Sequence, residues 1–442
     1  MGISILFKRL LPPACLCSLG MLSVFQAAWF SGFKKLQIGL VDPRLINYIL
    51  EHTYLWTKQQ YPHKSFWDAP ILFPAANVGG YTDTMLGVAP LYWIWRVLGF
   101  DANLAFQIWM MACFFLNFFS AWLFLRRCLG TSPWASATGA FIFGFGINRV
   151  ASLGSPQLLP LFWGMFAIYS LYRILEDTNE EALERRKSVW VFAFGVFLVL
   201  QVWSCFYPSF FLILILLISF LVSLFNADNR SRFLKLLFQY PLPLIAVGII
   251  GLIAISPMVL AHLSVVEELG WRTYRIKSLP VWASWFFPGT HSLFYGGLSD
   301  FSFFNMHFGN QHQNGVGFLT ATLSLYGFIL NRNRPLVRSV FLTTLAVILV
   351  STNLFGGFSF WRFIYDWIPG AGAIRYPSRI GMYLTIPCAI GLALFLDSFR
   401  RSKKVWVLIV LIAFCIGEQL QFRPFRENVD YQKSIDYLTT KI

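Results

Sequence analysis

Eleven apolar stretches constrain the fold of this chain more than any other feature of its sequence. A helix that crosses a bilayer needs roughly 20 mostly apolar residues. Of the 442 residues, 57% are hydrophobic and only 12% are charged, whereas about 25% of the residues in a soluble domain are charged. The sequence therefore predicts an all-α polytopic membrane protein with about 11 transmembrane helices, and it excludes a cytosolic enzyme, a disordered chain and a disulfide-stapled secreted domain. The predicted crossings lie near residues 10–31, 102–125, 133–150, 157–175, 188–206, 208–226, 240–261, 314–331, 336–353, 378–397 and 404–420.

Short clusters of Lys and Arg fall between these stretches, always on the same side. They are Lys8-Arg9, Arg126-Arg127, Arg185-Arg186-Lys187, Arg230 with Arg232 and Lys235, Arg332 with Arg334 and Arg338, and Arg400-Arg401 with Lys403-Lys404. Because positively charged loops stay in the cytoplasm, the clusters predict an integral membrane protein with a cytoplasmic N-terminus and a C-terminus on the outer side. The net charge of +15 sits in these orientation signals, so nucleic acid is not a predicted partner.

The chemically varied residues fall on the predicted outer side. Residues 1–420 form one predicted transmembrane domain, with a first outer loop at about 32–101 and a second at about 262–313, and residues 421–442 form a short periplasmic tail. The glycine motifs that bind nucleotide phosphates are missing, which argues against ATP hydrolysis and dinucleotide chemistry. All seven cysteines lie in or beside apolar stretches, so neither a disulfide framework nor a zinc cluster is expected. Any site is expected to face outward.

Two local features refine this arrangement. The first stretch has no small-residue cleavage site before Lys34, which predicts a retained anchor rather than a removed signal peptide. The fifth and sixth stretches are separated only by Phe206-Tyr207-Pro208, so they are predicted to form a tight hairpin.

Two aspartates of the first outer loop precede helix-like patterns. After Asp42-Pro43, the side chains of Leu45, Ile46, Ile49, Leu50 and Tyr54 share one face at helical spacing, which predicts a short amphipathic helix on the outer membrane surface. An aspartate followed by proline suits the start of a helix. Asp83 also precedes a helix-capable run. Capping therefore competes with a chemical role for both carboxylates.

The order of short motifs resembles a known family. The run from Asp42-Pro43 through Phe73-Pro74 to Asp83 and Leu86-Gly87 resembles the first periplasmic loop of the GT-C superfamily of membrane glycosyltransferases, most closely its YfhO-like bacterial relatives. Phe145-Gly146-Ile147-Asn148-Arg149 resembles a family segment that ends in an arginine at the outer end of the third crossing.

Two further segments extend the resemblance over nearly the whole chain. Arg375-Tyr376-Pro377-Ser378-Arg379 resembles an Arg-x-Pro-x-Arg run that opens a late crossing. Ser155-Pro156-Gln157 stands where the family often has His-x-Gln. The serine in place of histidine leaves the role of that position open.

The resemblance implies a GT-C-like fold with amphipathic helices in the first outer loop, and inverting transfer of a sugar at the outer leaflet. The donor would be a polyprenyl-phosphate-linked sugar and the acceptor a glycan, lipid or protein of the cell envelope. Asp42 would be the catalytic base. Arg149, Arg375 and Arg379 would bind the donor phosphate, although arginines at outer helix ends also reach lipid headgroups or pair with acids. Asp83, Gln157, His307 and His312 would support the site or contact the acceptor.

Metal binding and two other functions remain alternatives. His307 and His312 are five residues apart, not four as in a helical metal pair, and no carboxylate completes a ligand set. No metal site is predicted, and a requirement for a divalent cation stays open. A transporter or flippase of lipid-linked saccharides is the competing function, against which stands the scarcity of charges within the stretches. A catalytically inactive relative that acts as an assembly partner is the third interpretation.

Overall fold

The computed structural model describes residues 2–36, 41–72, 75–176, 181–304, 311–355, 357–399, 405–421 and 426–427. These residues form a helical protein. Its α-helices are α1 (Gly2–Phe30), α2 (Asp42–Thr57), α3 (Pro90–Val97), α4 (Ala102–Arg127), α5 (Pro133–Phe145), α6 (Ile147–Ala151), α7 (Phe162–Leu175), α8 (Glu181–Ser204), α9 (Phe206–Leu224), α10 (Ala227–Gln239), α11 (Pro241–Leu269), α12 (Phe318–Leu330), α13 (Pro335–Ser351), α14 (Trp361–Trp367), α15 (Thr385–Ser398) and α16 (Val405–Glu418). Short 3-10 helices occupy Val78–Tyr81, Ser152–Gly154, Pro156–Leu158, Ile276–Ser278, Trp282–Trp285, Gly296–Asp300, Ser302–Phe304, Ala371–Ala373 and Pro377–Tyr383.

A two-residue antiparallel pair joins distant parts of the chain. β1 (Lys35–Leu36), just after α1, pairs with β2 (Arg426–Glu427), beyond α16. Most of the predicted tail at 421–442 lies outside the described residues. The seven cysteines are free thiols.

A helix lies within every one of the eleven predicted stretches, but eleven crossings are not confirmed. Seven helical segments of the described chain are long and apolar enough to cross a membrane. They are Arg9–Phe30, Ala102–Arg127, Pro156–Leu175, Lys187–Ser204, Phe206–Leu224, Pro241–Leu269 and Pro377–Ser398. The other four helices, α5, α12, α13 and α16, have 13, 13, 17 and 14 residues. A helical membrane protein is therefore supported, with fewer full-length spans than the apolar pattern predicts.

The start of α12 shows why some helices are shorter than their apolar stretches. Gly317 has a positive φ of 91°, so the chain turns there instead of continuing the helix. The carboxylate of Glu418 accepts hydrogen bonds from the amides of Leu319 and Thr320, both at 2.8 Å. This carboxylate, only 3% exposed, satisfies amides that a helix start otherwise leaves without partners.

The long helices run alternately between two ends of the molecule. At one end α4 finishes with Arg126-Arg127 and α13 begins after Arg334, and we call this the basic end. The opposite end carries α2 and residues 262–304, and we call it the loop end. The Asp397 carboxylate accepts a hydrogen bond from the Ser132 amide at 2.7 Å, which ties α15 to α5 at the basic end.

α2 confirms the predicted amphipathic helix but corrects its surroundings. Ile46, Ile49 and Leu50 are buried in the core of the protein. Leu45, which the pattern places on the same face, is 41% exposed. The buried face packs on α4 and on the 3-10 helix Pro156–Leu158. Protein contacts therefore hold the buried face of the helix, and its location on the outer membrane surface stays a prediction.

The α8–α9 hairpin is confirmed, and Asp83 bonds the first amide of α9 at its corner. α8 ends at Ser204, Cys205 is extended, and α9 begins at Phe206. The Asp83 carboxylate accepts a hydrogen bond from the Phe206 amide at 2.8 Å. Asp83 therefore caps a helix, but the prediction that it caps the run following it in sequence is wrong. A carboxylate caps whichever free amide the fold brings to it.

Small residues allow three helices to approach closely at α15. A Cβ added to Gly327 of α12 would lie 1.8 Å from the Gly391 carbonyl oxygen, and one added to Gly391 would lie 2.4 Å from the Ser324 carbonyl oxygen. On α5, a Cβ at Gly139 would lie 2.6 Å from the Ala389 carbonyl oxygen. Backbone contact through small residues is the usual basis of tight helix association in membranes.

This packing predicts a large cost for a single methyl group. Gly327→Ala is expected to lower the free energy of unfolding by about 1–3 kcal/mol, because α12 and α15 must separate to admit it. Thermal unfolding in detergent would register the loss as a lower Tm. Gly248→Ala in α11 is the matched control, since open space surrounds that position. Equal melting temperatures for wild type and Gly327→Ala would contradict the close contact.

Candidate functional site

Asp42 lies at the loop end and is held by two side chains from a distant segment. It is the first residue of α2, and Val41 occupies the capping position without a side-chain hydrogen bond. The prediction that Asp42 caps its own helix is therefore wrong. Its Oδ2 accepts hydrogen bonds from Ser155 Oγ at 2.9 Å and from Gln157 Nε2 at 3.4 Å. The carboxylate is partly exposed, so it remains accessible.

Arg149 is fully buried, and it bonds Leu158, the residue that follows Gln157 in the sequence. Its side chain has 0% exposure, and Nη1 donates to the Leu158 carbonyl oxygen at 3.1 Å. The guanidinium also lies 5.5 Å from the centre of the Phe143 ring, a cation–π distance. Nε and Nη2 are buried without a partner. The interpretation of Arg149 as an arginine that reaches lipid headgroups is wrong, because burial separates it from the surface.

The other two predicted arginines lie on and just before the 3-10 helix Pro377–Tyr383. Arg379 Nε donates to Gln311 Oε1 at 2.9 Å, and its guanidinium lies 5.2 Å from the Tyr207 ring and 5.4 Å from the Tyr376 ring. Arg375, which is exposed, lies 5.0 Å from the Tyr376 ring. Stacking on aromatic faces orients a guanidinium while leaving its N–H edge open to an anion.

The segments that carry Arg149 and Arg379 are in contact, since α6 packs on the 3-10 helix Pro377–Tyr383. Tyr383 ends this 3-10 helix. Its hydroxyl donates to the Pro208 carbonyl oxygen at 2.8 Å. None of the three predicted arginines forms an ion pair with Asp42 within the described ranges.

Asp83 lies on the Arg379 side rather than beside Asp42. Burial raises the pKa of Asp83, while the hydrogen bond from the Phe206 amide and the charges of His262 and Arg379 lower it. Burial is the largest of these effects. The ring of His262, on α11, stacks on Phe206 with 6.4 Å between ring centres. The position of Asp83 therefore suits support of the α9 start and of Arg379.

The second outer loop contributes polar side chains to the same region. His312 is buried, and its Nδ1 lies 2.9 Å from Ser284 Oγ. Asn314 is also buried, and its carbonyl oxygen accepts a hydrogen bond from Asn148 Nδ2 at 3.1 Å. His307 lies outside the described residues, as do Phe73 and Pro74 of the family-like loop.

Among the described residues, several buried polar atoms of these neighbouring segments have no hydrogen-bond partner. Buried polar groups in folded proteins are nearly always satisfied, so such atoms call for an explanation. They come from α6, from Pro156–Leu158, from Pro377–Tyr383 and from the second outer loop. They are Asn148 Oδ1, Arg149 Nε and Nη2, Gln157 Oε1, Asn314 Nδ2 and Ser378 Oγ. We call the side chains of these residues the polar cluster. A polar ligand or water molecules would satisfy it.

Sequence reasoning missed several members of this region. Ser155 looked like the loss of a family histidine, yet its hydroxyl holds Asp42. Tyr207 and Tyr376 were not singled out, although both stack on Arg379. The density of Asn, Gln and His at 307–314 is a sequence signal that could have pointed to Asn314.

Among the described residues, no group of three or more His, Cys, Asp or Glu side chains could hold a metal ion. Comparisons with protein-family models, with curated proteins and with solved structures found no match to this chain.

Proposed function

We propose that this chain is an inverting glycosyltransferase that moves a sugar from a polyprenyl-phosphate donor to a cell-envelope acceptor on the outer face of the bacterial inner membrane. One observation carries the proposal. The 3-10 helix Pro156–Leu158 contacts the Asp42 carboxylate through Gln157 and the buried Arg149 guanidinium through Leu158. A candidate base and a candidate anion-binding group therefore border the same polar cluster.

Asp42 has the contacts expected of a general base. In the proposed step, its carboxylate takes the proton of an acceptor hydroxyl as that oxygen attacks the anomeric carbon of the sugar. The bond from this carbon to the phosphate oxygen breaks, and polyprenyl phosphate leaves with the bonding electrons. An inverting transfer of this kind needs one carboxylate at the acceptor. Ser155 and Gln157 act as positioning residues, since both donate to the same carboxylate oxygen, Oδ2. We assign Oδ1 to the acceptor.

The arginines suit the departing phosphate. Arg149 has two N–H-bearing nitrogens, Nε and Nη2, without a hydrogen-bond partner among the described residues, and a fork of N–H donors matches phosphate oxygens. Arg375 and Arg379 are held by tyrosine rings at the edge of the same region. Preorganised donors aimed at developing negative charge are the strongest single contribution to many enzymatic rates.

The proposed orientation in the membrane is based on the arginines of the basic end. The basic end, with Arg126-Arg127 and Arg334, would face the cytoplasm. The loop end, with Asp42 and the three arginines, would then face the periplasm, where the acceptor lies. The resemblance of the first outer loop to GT-C glycosyltransferases agrees with this side of the membrane.

The test is sugar transfer by purified protein in detergent, where transport across a membrane is impossible. Radiolabelled polyprenyl-phosphate hexoses and pentoses are supplied with a cell-envelope extract as acceptor. We expect release of free polyprenyl phosphate and movement of the label into the extract. A carrier or an inactive assembly partner would leave the sugar–phosphate bond intact with every donor. Mass spectrometry of envelope glycans from a deletion strain then identifies the product that depends on this chain.

A further inference from the structure

A cavity of about 730 Å³ lies between the helices. This volume falls within the range of about 300–1,000 Å³ typical of sites for small molecules. Its walls come from α4, α7, α8, α9, α10, α13 and α15. It extends from the basic end, where Arg334 precedes α13, to Tyr383 and Leu384 near the loop end. Its long dimension therefore runs along the helices, as an acyl chain in a bilayer does.

The cavity changes character along its length. Arg232 of α10, Arg334 and the two serines Ser219 and Ser223 line its basic end. Towards Tyr383 the lining is apolar, with side chains that include Leu212, Ile215, Leu216, Val347, Ile386 and Ile390. One charged end and one apolar end match an amphiphile rather than a soluble metabolite.

Two arginines lie at the basic end of the cavity. Arg232 on α10 and Arg334, the residue before α13, are both exposed. Glu176 also borders the cavity, but Arg173 forms a salt bridge with its carboxylate. An edge-to-face contact of the Phe220 and Phe233 rings, with centres 5.1 Å apart, holds α10 against α9 and so holds Arg232 at the opening. Basic pockets between transmembrane helices on the cytoplasmic side bind anionic lipid headgroups.

We propose that this cavity binds an anionic phospholipid of the leaflet at the basic end. The phosphate would lie between Arg232 and Arg334, and one acyl chain would extend towards Tyr383. Charge complementarity selects the headgroup, and the apolar lining selects the chain. The leaflet is the cytoplasmic one under the proposed orientation, but the binding itself does not depend on the proposed sugar transfer.

The test compares phospholipid retention in matched variants. Full-length protein is purified in mild detergent with mixed micelles that contain phosphatidylglycerol or phosphatidylcholine, and bound lipid is measured by native mass spectrometry. Wild type is expected to retain a single phosphatidylglycerol and little phosphatidylcholine. The double variant Arg232→Gln/Arg334→Gln is expected to retain phosphatidylglycerol roughly thirtyfold more weakly.

Two further variants separate this site from general surface charge. Arg332→Gln/Arg338→Gln removes two exposed arginines of the same end that do not line the cavity, and it should retain lipid as wild type does. Val340→Phe fills the cavity from α13 and should lose lipid while keeping both arginines. Equal loss in the two arginine pairs, undiminished binding in Val340→Phe, or retention of a neutral lipid or polyprenyl phosphate instead would overturn the proposal. Since sugar transfer is assayed separately, its absence would leave the lipid result standing.

Discussion

Asp42→Asn is expected to reduce sugar transfer at least about 100-fold while the protein folds as the wild type does. A positioned general base contributes roughly 10²–10⁴-fold to a rate. Asparagine keeps the shape of the side chain and an oxygen that accepts the hydrogen bond from Ser155, but it cannot take a proton from the acceptor. The measurement is initial-rate transfer in detergent, with thermal unfolding recorded on the same preparations.

Two controls define the origin of this loss. Asp68→Asn changes an exposed carboxylate of the same loop, which accepts hydrogen bonds from Ser65 Oγ and the Asn77 amide, and it should leave transfer intact. Ser155→Ala removes a donor to Asp42 but keeps the carboxylate, so a smaller loss of about tenfold is expected. Full activity of Asp42→Asn would exclude Asp42 as the base.

Arg149→Met is expected to separate stability from activity. Burying a guanidinium without partners for two of its nitrogens costs free energy, and an apolar side chain of similar length avoids that cost. The variant should therefore unfold at the same temperature as the wild type or higher. Transfer should nevertheless fall at least about 100-fold, because a donor to the leaving phosphate is lost. Active sites typically contain residues that lower stability but are needed for activity.

Arg96→Met is the control with the opposite expectation. Arg96 Nε and Nη2 each donate to the Glu51 carboxylate at 2.8 Å, so its loss removes the guanidinium from a partly buried carboxylate to which the Tyr92 hydroxyl still donates. The variant should unfold at a lower temperature and retain the transfer rate per folded molecule. Should Arg149→Met lose stability and activity in proportion, Arg149 would be a structural residue.

The positions of the long helices were predictable because lipid demands long apolar runs. The ends of these helices were not predictable, because tertiary contacts determine where each helix begins and ends. The amides at the start of α12 are satisfied by Glu418, about 100 residues later in the chain, with separations of 99 and 98 residues for Leu319 and Thr320. Neither segment carries a local sequence pattern that predicts this contact.

The same distinction applies to the candidate site. Asp42, Arg149 and Arg379 could be selected from short motifs, since acids and arginines are rare in apolar surroundings. Their partners could not. Ser155 lies 113 residues from Asp42, and only the fold shows that a hydroxyl there meets the carboxylate. Asp83 has a capping signal in the sequence, but the helix it caps begins 123 residues later, at Phe206.

Because α5 and α12 approach α15 closely, α15 has less room to move than α11. Backbone contacts at Gly391 and Ala389 fix the position of α15. Arg379 lies on the segment that leads into this helix. α11, which carries His262, is mostly uncovered by protein along its length. If a lipid-borne sugar enters as proposed, we expect α11 to move aside and the segment that carries Arg379 to keep its position.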